Sequence, residues 1–127
     1  MQLPEALPGP AQLAWLGDAV WELHQRKRLV RHPARSHLLH HQAVAMVCAE
    51  AQSAALHQLE PLLQAEEKEW VRRGRNAAGR GPRRSDPGTY ARASGFETMV
   101  GWLYLCNPER LQQLFSYLEE HPLEGTV

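Results

Sequence analysis

The spacing of apolar and polar residues follows the period of an α-helix in five segments of the chain. The first segment covers about residues 10–28, and its predicted buried stripe is Leu13, Leu16, Val20 and Leu23. The other four segments cover about residues 36–59, 62–73, 89–106 and 109–120. Because the alternation typical of strands is nearly absent, the pattern predicts an all-α fold built as a helical bundle.

The first predicted helix is apolar on nearly every side. Trp15 and Trp21, together with several alanines, fill most of the surface outside the stripe. Such a helix normally lies in the middle of a domain or an oligomer. Since a small monomer does not easily cover it, the pattern favours a dimer.

The length of 127 residues fits a single domain, 1–127, with its core at about 10–120. Residues 74–88 contain four glycines, two prolines and five charged residues, which predicts a mobile basic loop. No apolar stretch approaches the length of a membrane span, and the N-terminus lacks the pattern of a secretory signal. The two cysteines, each alone among apolar residues, are expected to be reduced. We therefore expect a cytoplasmic protein without membrane contact.

The formal net charge is zero, but the charges are segregated along the chain. Residues 24–49 hold five basic residues and no acid, while residues 70–92 hold seven basic residues and one acid. Separate positive surfaces suit a polyanionic partner such as a nucleic acid. A solvated surface of mixed charge is the alternative interpretation.

Two acids lie in otherwise apolar helices: Asp18 in "LAWLGDAVW" and Glu97 in "ASGFETMVGWLYLCNP". Glycines stand close to both, namely Gly17, Gly95 and Gly101, and a helical glycine usually indicates close approach of two backbones. Helices that cross at these glycines would bring the two carboxylates within a few ångströms. Such a pair repels unless it takes up a proton or a cation, and oxygen ligands suit Mg²⁺ or Mn²⁺. Alternatively, each acid is neutralised by an arginine or a backbone amine.

Four stretches resemble a known family. "LGDAVWEL" resembles the signature helix of the ribonuclease III family, and "GFETMVGWLYL" is similar to its second acidic helix. "RRGRNA" and "TYARASGFE" look more particularly like the Mini-ribonuclease III branch, which consists of the catalytic domain without a double-stranded-RNA-binding domain. The resemblance covers about residues 10–120.

The resemblance implies a helical bundle of the ribonuclease III endonuclease-domain type that acts as a homodimer. It implies an endoribonuclease that cleaves double-stranded RNA with Mg²⁺, for which Mn²⁺ is a substitute, and leaves 5′-phosphate and 3′-hydroxyl ends. A ribosomal RNA precursor is the substrate it suggests. Asp18 and Glu97 match the family's catalytic metal ligands and inherit both roles.

The chain departs from the larger ribonuclease III enzymes at three positions. Those enzymes carry further carboxylates four and seven residues before the signature Asp, and another three residues before the Glu. Here the positions hold Ala14, Ala11 and Ser94. This leaves two protein carboxylates per subunit, as in the Mini branch.

The basic loop and its flanks supply the expected RNA contacts. A-form RNA is bound through its shape and phosphates, which suits arginines placed beside the cleft. The residues predicted to bind RNA are Arg73, Arg75, Asn76, Arg80, Arg83, Arg84, Tyr90 and Arg92. The alternatives are a solvated tether for the loop and, for the protein, a non-catalytic RNA-binding module acting in ribosome assembly, or a helical dimerisation protein.

Overall fold

The structure is a computed structural model that describes residues 8–31 and 36–121, so residues 1–7, 32–35 and 122–127 of the predicted domain lie outside the described part. It contains α1 (Pro10–Leu29), α2 (Ser36–Val47), α3 (Ala49–Leu59), a 3₁₀ turn (Glu60–Leu62), α4 (Ala65–Ala77), α5 (Pro87–Cys106) and α6 (Pro108–Glu120). No strand occurs within these ranges, which confirms the all-α prediction. None of the described helices is long and apolar enough to cross a lipid bilayer.

Helix α5 is the centre of the bundle. It packs against α1, α3 and α4, and less extensively against α6, while α2 packs against α1. Its side chains Phe96, Met99 and Val100 are completely buried, and Leu103 is nearly so. An α-helix that is apolar all round is expected at such a central position.

The predicted buried stripe of α1 was correct at Leu13 and partly correct at Leu16 and Val20, which are half-buried, but wrong at Leu23. The buried positions follow a spacing of four residues and are Leu13, Gly17, Trp21, Gln25 and Leu29. Leu23, which was predicted to be buried, has 58% of its surface exposed. Glycine has no apolar side chain, so the pattern of hydrophobic residues did not show that Gly17 lies on the inward face.

The predicted helix over 36–59 is two helices that meet at Cys48, where the backbone becomes extended (ψ 163°). No proline or glycine marks this position. The indole Nε1 of Trp21 donates to the carbonyl oxygen of Met46 at 3.0 Å, and the Cys48 thiol donates to the carbonyl of Ala45 at 3.2 Å. These contacts satisfy carbonyls that the break leaves without a helical partner, so the break depends on tertiary structure.

The predicted loop over 74–88 is shorter than expected, because α4 continues to Ala77 and α5 already begins at Pro87. Helix α4 includes Gly74, where a Cβ atom would overlap Thr98 and approach Gly95 of α5. The packing against α5 therefore offsets the cost of a helical glycine. The connecting loop is 78–86, and its mobility stays a prediction.

Candidate active site

Helices α1 and α5 cross with their backbones in contact. A Cβ atom on Gly17 would overlap the carbonyl oxygen of Glu97, and one on Gly101 would overlap the carbonyl oxygen of Leu13. Glycine is required at both positions because the clashing atoms belong to the backbone and cannot rotate away. Asp18 follows the first glycine directly, and the crossing therefore brings its side chain next to Glu97, as the sequence predicted.

The two carboxylates border an open cleft of about 280 Å³ between α1, α4 and α5. Asp18 is exposed and Glu97 is half-buried. The cleft is lined by Pro10, Ala11, Ala14, Trp15, Asp18, Gly74, Ala77, Ala78, Tyr90, Ser94, Glu97 and Thr98. Solvent in the cleft thus accommodates the charge that Asp18 carries in its otherwise apolar helix.

The electrostatics of Glu97 are unusual for a glutamate. Burial, followed by hydrogen bonding to Asp18 and repulsion from its charge, raises the pKa of Glu97 from its ordinary 4.5 to about 8. A hydrogen bond from Gln52 opposes this rise. The carboxyl group of Glu97 therefore lies within interacting range of Asp18, and the pair carries less negative charge than two isolated carboxylates at neutral pH.

Gln52 of α3 is a residue of the site that sequence reasoning missed. It is 3% exposed, and its Nε2 donates to Oδ1 of Asp18 at 3.4 Å. In the sequence it is one of several polar residues in an alanine-rich helix, with no motif around it. Gln52 lies one turn after the break at Cys48, and its side chain reaches Asp18 from α3.

The donor set of the cleft fits a divalent cation of the Mg²⁺ or Mn²⁺ type. Both protein ligands are carboxylates, and Mg²⁺ commonly binds one or two carboxylates while retaining several waters. The raised pKa of Glu97 indicates two neighbouring acids that lack a counter-charge. Within residues 8–31 and 36–121, no group of three or more His, Cys, Asp and Glu side chains is positioned to hold a metal. Asp18 and Glu97 are the two carboxylates that line this cleft and could hold such a cation.

Three small residues line the same cleft at informative positions. Ala11, Ala14 and Ser94 stand where the larger ribonuclease III enzymes carry additional carboxylates, and all three border the cleft. The positions that carry acids in the larger enzymes are therefore part of this cleft, and in this chain none of the three carries one.

The predicted RNA-binding residues of α4 point in two directions. Arg75 and Asn76 border a separate groove against α3, which Arg72 also lines. Arg73 instead contacts Glu69 at 3.2 Å and lies 4.8 Å from the ring centroid of Trp70. None of the three predicted residues lines the carboxylate cleft.

The predicted residues of the loop and of α5 also differ in position. Tyr90 borders the cleft. Arg80 donates to the loop carbonyls of Pro82 and Ser85, both at 3.1 Å. The side chains of Arg83 and Arg84 are exposed. In the chain these two arginines come shortly after Ala77 and Ala78, which line the cleft.

Arg92 does not face the cleft, because its Nε donates to the buried hydroxyl of Ser53 on α3 at 2.8 Å. In this structure it therefore joins α5 to the helix that carries Gln52. Its predicted contact with RNA, like those of the other seven residues, stays a prediction.

Comparison with known proteins identifies the family. The Ribonuclease III domain family matches residues 11–108. The Mini-ribonuclease 3 of Synechococcus sp. is 54% identical over 109 residues, which cover 86% of this chain and 79% of that protein. The Mini-ribonuclease 3 of Symbiobacterium thermophilum is 48% identical over 116 residues, which cover 89% of this chain and 88% of that protein.

A solved structure agrees with these matches. The crystal structure of protein FN1578 from Fusobacterium nucleatum superposes with a TM-score of 0.81 at 28% identity, covering 91% of this chain and 94% of that chain. The predicted fold of the ribonuclease III endonuclease-domain type is thereby confirmed. The chain belongs to the ribonuclease III family, in its Mini-ribonuclease 3 branch, and is an endoribonuclease.

Proposed function

We propose that this protein cleaves double-stranded RNA in a reaction that depends on a divalent cation held by Asp18 and Glu97. The observation that carries the proposal is the meeting of these two carboxylates in the cleft at the glycine crossing of α1 and α5. A non-catalytic RNA-binding module gives no reason to keep two mutually repelling acids together, and a dimerisation protein gives no reason for the basic loop. Both alternatives are therefore disfavoured.

The two carboxylates differ in their exposure to solvent. Asp18 is exposed and reaches the open side of the cleft, whereas Glu97 is half-buried and fixed by the central helix. A divalent cation, when bound, neutralises charge on a phosphodiester and activates a water molecule as the nucleophile. Asp18 and Glu97 would orient that cation and would exchange their mutual repulsion for attraction to it.

No side chain of the cleft is needed as a nucleophile. The hydroxyl of Thr98 is completely buried and already contacts the carbonyl oxygens of Ser94 at 2.8 Å and Pro10 at 3.2 Å. Attack by water in line with the 3′-oxygen then breaks the bond between phosphorus and that oxygen. The products are one 3′-hydroxyl end and one 5′-phosphate end.

The RNA duplex would lie across the cleft mouth and contact the loop 78–86 through its phosphates. Arg83 and Arg84 are exposed there.

We assign a ribosomal RNA precursor as the cellular substrate on family resemblance alone. Unprocessed ribosomal RNA ends in cells that lack the protein would support that assignment, and normal ends would exclude it. The free thiols of Cys48 and Cys106 are consistent with a cytoplasmic enzyme.

We also propose that the enzyme is a homodimer. Trp15 and Leu23 of α1, and Val30 directly after its end, are exposed by 82%, 58% and 71%. We infer that these large exposed apolar side chains belong to the interface between two subunits. Sedimentation should give the mass of two chains, with Leu23→Arg shifting it toward one. A wild-type mass of one chain would contradict the homodimer.

The decisive experiment is incubation of the protein with a long RNA duplex and Mg²⁺, with Asp18→Asn beside the wild type. We expect the variant to lose more than about 1,000-fold in cleavage rate, roughly 4 kcal/mol of barrier, because a metal ligand is removed. Glu22→Gln is the matched control, since Glu22 lies one turn further along α1 in an exposed ion pair with Arg26. Cleavage by Asp18→Asn in EDTA would contradict the assignment.

A further inference from the structure

The buried amide of Gln52 lies against both carboxylates of the cleft. Its Nε2 donates to Oδ1 of Asp18 at 3.4 Å, next to the Glu97 carboxyl group with which Asp18 interacts. A glutamine amide has two N–H donors on one nitrogen, so one group is able to serve two acceptors. Gln52 is thus a neutral donor placed beside the pair of acids.

The neutrality of Gln52 matters for what the cleft binds. An arginine or lysine in this place would neutralise the pair and would compete with a cation for the same oxygens. An amide donates hydrogen bonds without supplying a positive charge, so the pair keeps its affinity for a cation. Elsewhere in the structure an arginine does neutralise a buried acid, since Arg110 donates hydrogen bonds to Glu67 at 2.8 and 3.0 Å.

Helix α3 holds Gln52 in place through contacts on both sides of it. The next residue, Ser53, accepts a hydrogen bond from Arg92 of α5 at 2.8 Å. Just before α3 begins, the carbonyl oxygen of Met46 accepts a hydrogen bond from the indole of Trp21. Because Gln52 is 3% exposed, its side chain has little freedom to leave the carboxylates. Its donor atoms are therefore held ready, whether or not a ligand occupies the cleft.

We propose that Gln52 is a positioning residue that holds the Asp18 and Glu97 carboxylates at the separation and orientation required to bind a divalent cation. This inference rests on the proposed function and deepens it. Groups that orient metal ligands through hydrogen bonds typically contribute about 10–100-fold to metal affinity or activity. Gln52 accordingly acts through the two acids and does not itself contact the RNA.

The test compares Gln52→Leu with the wild type by calorimetric titration of Mn²⁺ into protein freed of metal. Leucine is similar in size and has no donor, so Asp18 loses its hydrogen bond from Gln52 and the pair of acids loses its neutral donor. We expect the dissociation constant for Mn²⁺ to rise by about 10-fold or more and kcat on an RNA duplex to fall, with KM unchanged. Gln52→Asn, which keeps the amide but shortens it by one methylene group, should shift both in the same direction and serves if Gln52→Leu does not fold.

Gln25→Leu is the matched control. Gln25 is an equally buried glutamine on α1, 2% exposed, and its Oε1 accepts from Arg28 at 3.0 Å, away from the cleft. It should bind Mn²⁺ as the wild type does. Wild-type affinity in a folded Gln52→Leu or Gln52→Asn protein would overturn the inference alone. Mn²⁺ affinity that does not respond to Asp18→Asn would overturn the metal site of the proposed function, and this inference with it.

Discussion

Glu67 on α4 and Glu97 on α5 belong to the same small bundle, but their pKa values are shifted in opposite directions by their neighbours. Glu67 is 1% exposed, and its two oxygens accept hydrogen bonds from Arg110 at 2.8 and 3.0 Å and from the backbone N–H of Gln64 at 2.8 Å. Burial alone would raise the pKa of Glu67, but these hydrogen bonds outweigh it and lower the pKa. Glu97 instead faces Asp18, and its pKa rises to about 8.

The difference separates an acid that holds the fold together from acids that are arranged for a ligand. Arg110 also donates to the carbonyl of Leu62 at 2.8 Å, so the Glu67 cluster ties α6 to the start of α4. Among residues 8–31 and 36–121, no comparable arginine neutralises the Asp18–Glu97 pair, whose hydrogen-bonding neighbour is the uncharged Gln52. A strongly perturbed acid such as Glu97, placed in a cleft without a counter-charge, is typical of a functional site.

The largest expected effect comes from breaking the Glu67 cluster. Arg110→Met would leave the charge of Glu67 buried without a partner, and we expect the free energy of unfolding to fall by about 3–5 kcal/mol. Urea denaturation at pH 7 measures it. The double variant Glu67→Gln with Arg110→Met should recover much of the loss, because the unpaired charge is gone. A loss below about 1 kcal/mol in Arg110→Met would contradict the structural role assigned to Glu67.

The next effect is a pair of opposite pH dependences, measured by denaturation in EDTA. Between pH 4.5 and about 8 the unfolded chain has released the Glu97 proton while the folded chain retains it, so the stability of the wild type falls as pH rises. Glu97→Gln removes this loss and should be more stable than the wild type at pH 8, by about 2 kcal/mol after allowance for its partial exposure.

Glu67→Gln should show the reverse. The pKa of Glu67 is lowered on folding, so its contribution to stability is present above pH 4.5 and is lost as pH falls through the folded pKa. The variant should be less stable than the wild type at pH 7, and the difference should shrink toward pH 3. The same pH dependence in both variants would contradict the contrast between the two acids.

The smallest effect concerns how far the functional region extends beyond the carboxylates. Neutralising Arg83 and Arg84 to alanine, in an Asp18→Asn background that does not cleave, should weaken duplex binding. It should also reduce the slope of log affinity against log salt by about 2, because each arginine would neutralise one phosphate. The control is the double variant Arg26→Ala with Lys27→Ala, which removes the same number of positive charges from the last turn of α1. An unchanged slope in the loop variant would remove the loop from the RNA interface.

The sequence predicted the site better than it predicted the helix boundaries. Gly17 beside Asp18 and Gly101 beyond Glu97 marked a crossing of two backbones, and the structure shows that crossing. Gly95 was expected at the same crossing, but it packs against Val71 and Arg75 of α4 instead. A glycine indicates that something approaches closely, while the identity of the neighbour depends on the packing of the whole bundle.

Local sequence therefore determined the helical content, the apolar central helix α5 and the two acids, because helical periodicity and the cost of an unpaired charge are properties of short segments. Tertiary structure alone decided the break at Cys48 and the contact of Gln52 with Asp18. Each of these depends on a hydrogen bond or a backbone contact between residues far apart in the chain. Such contacts leave no periodic signal in the segments that make them.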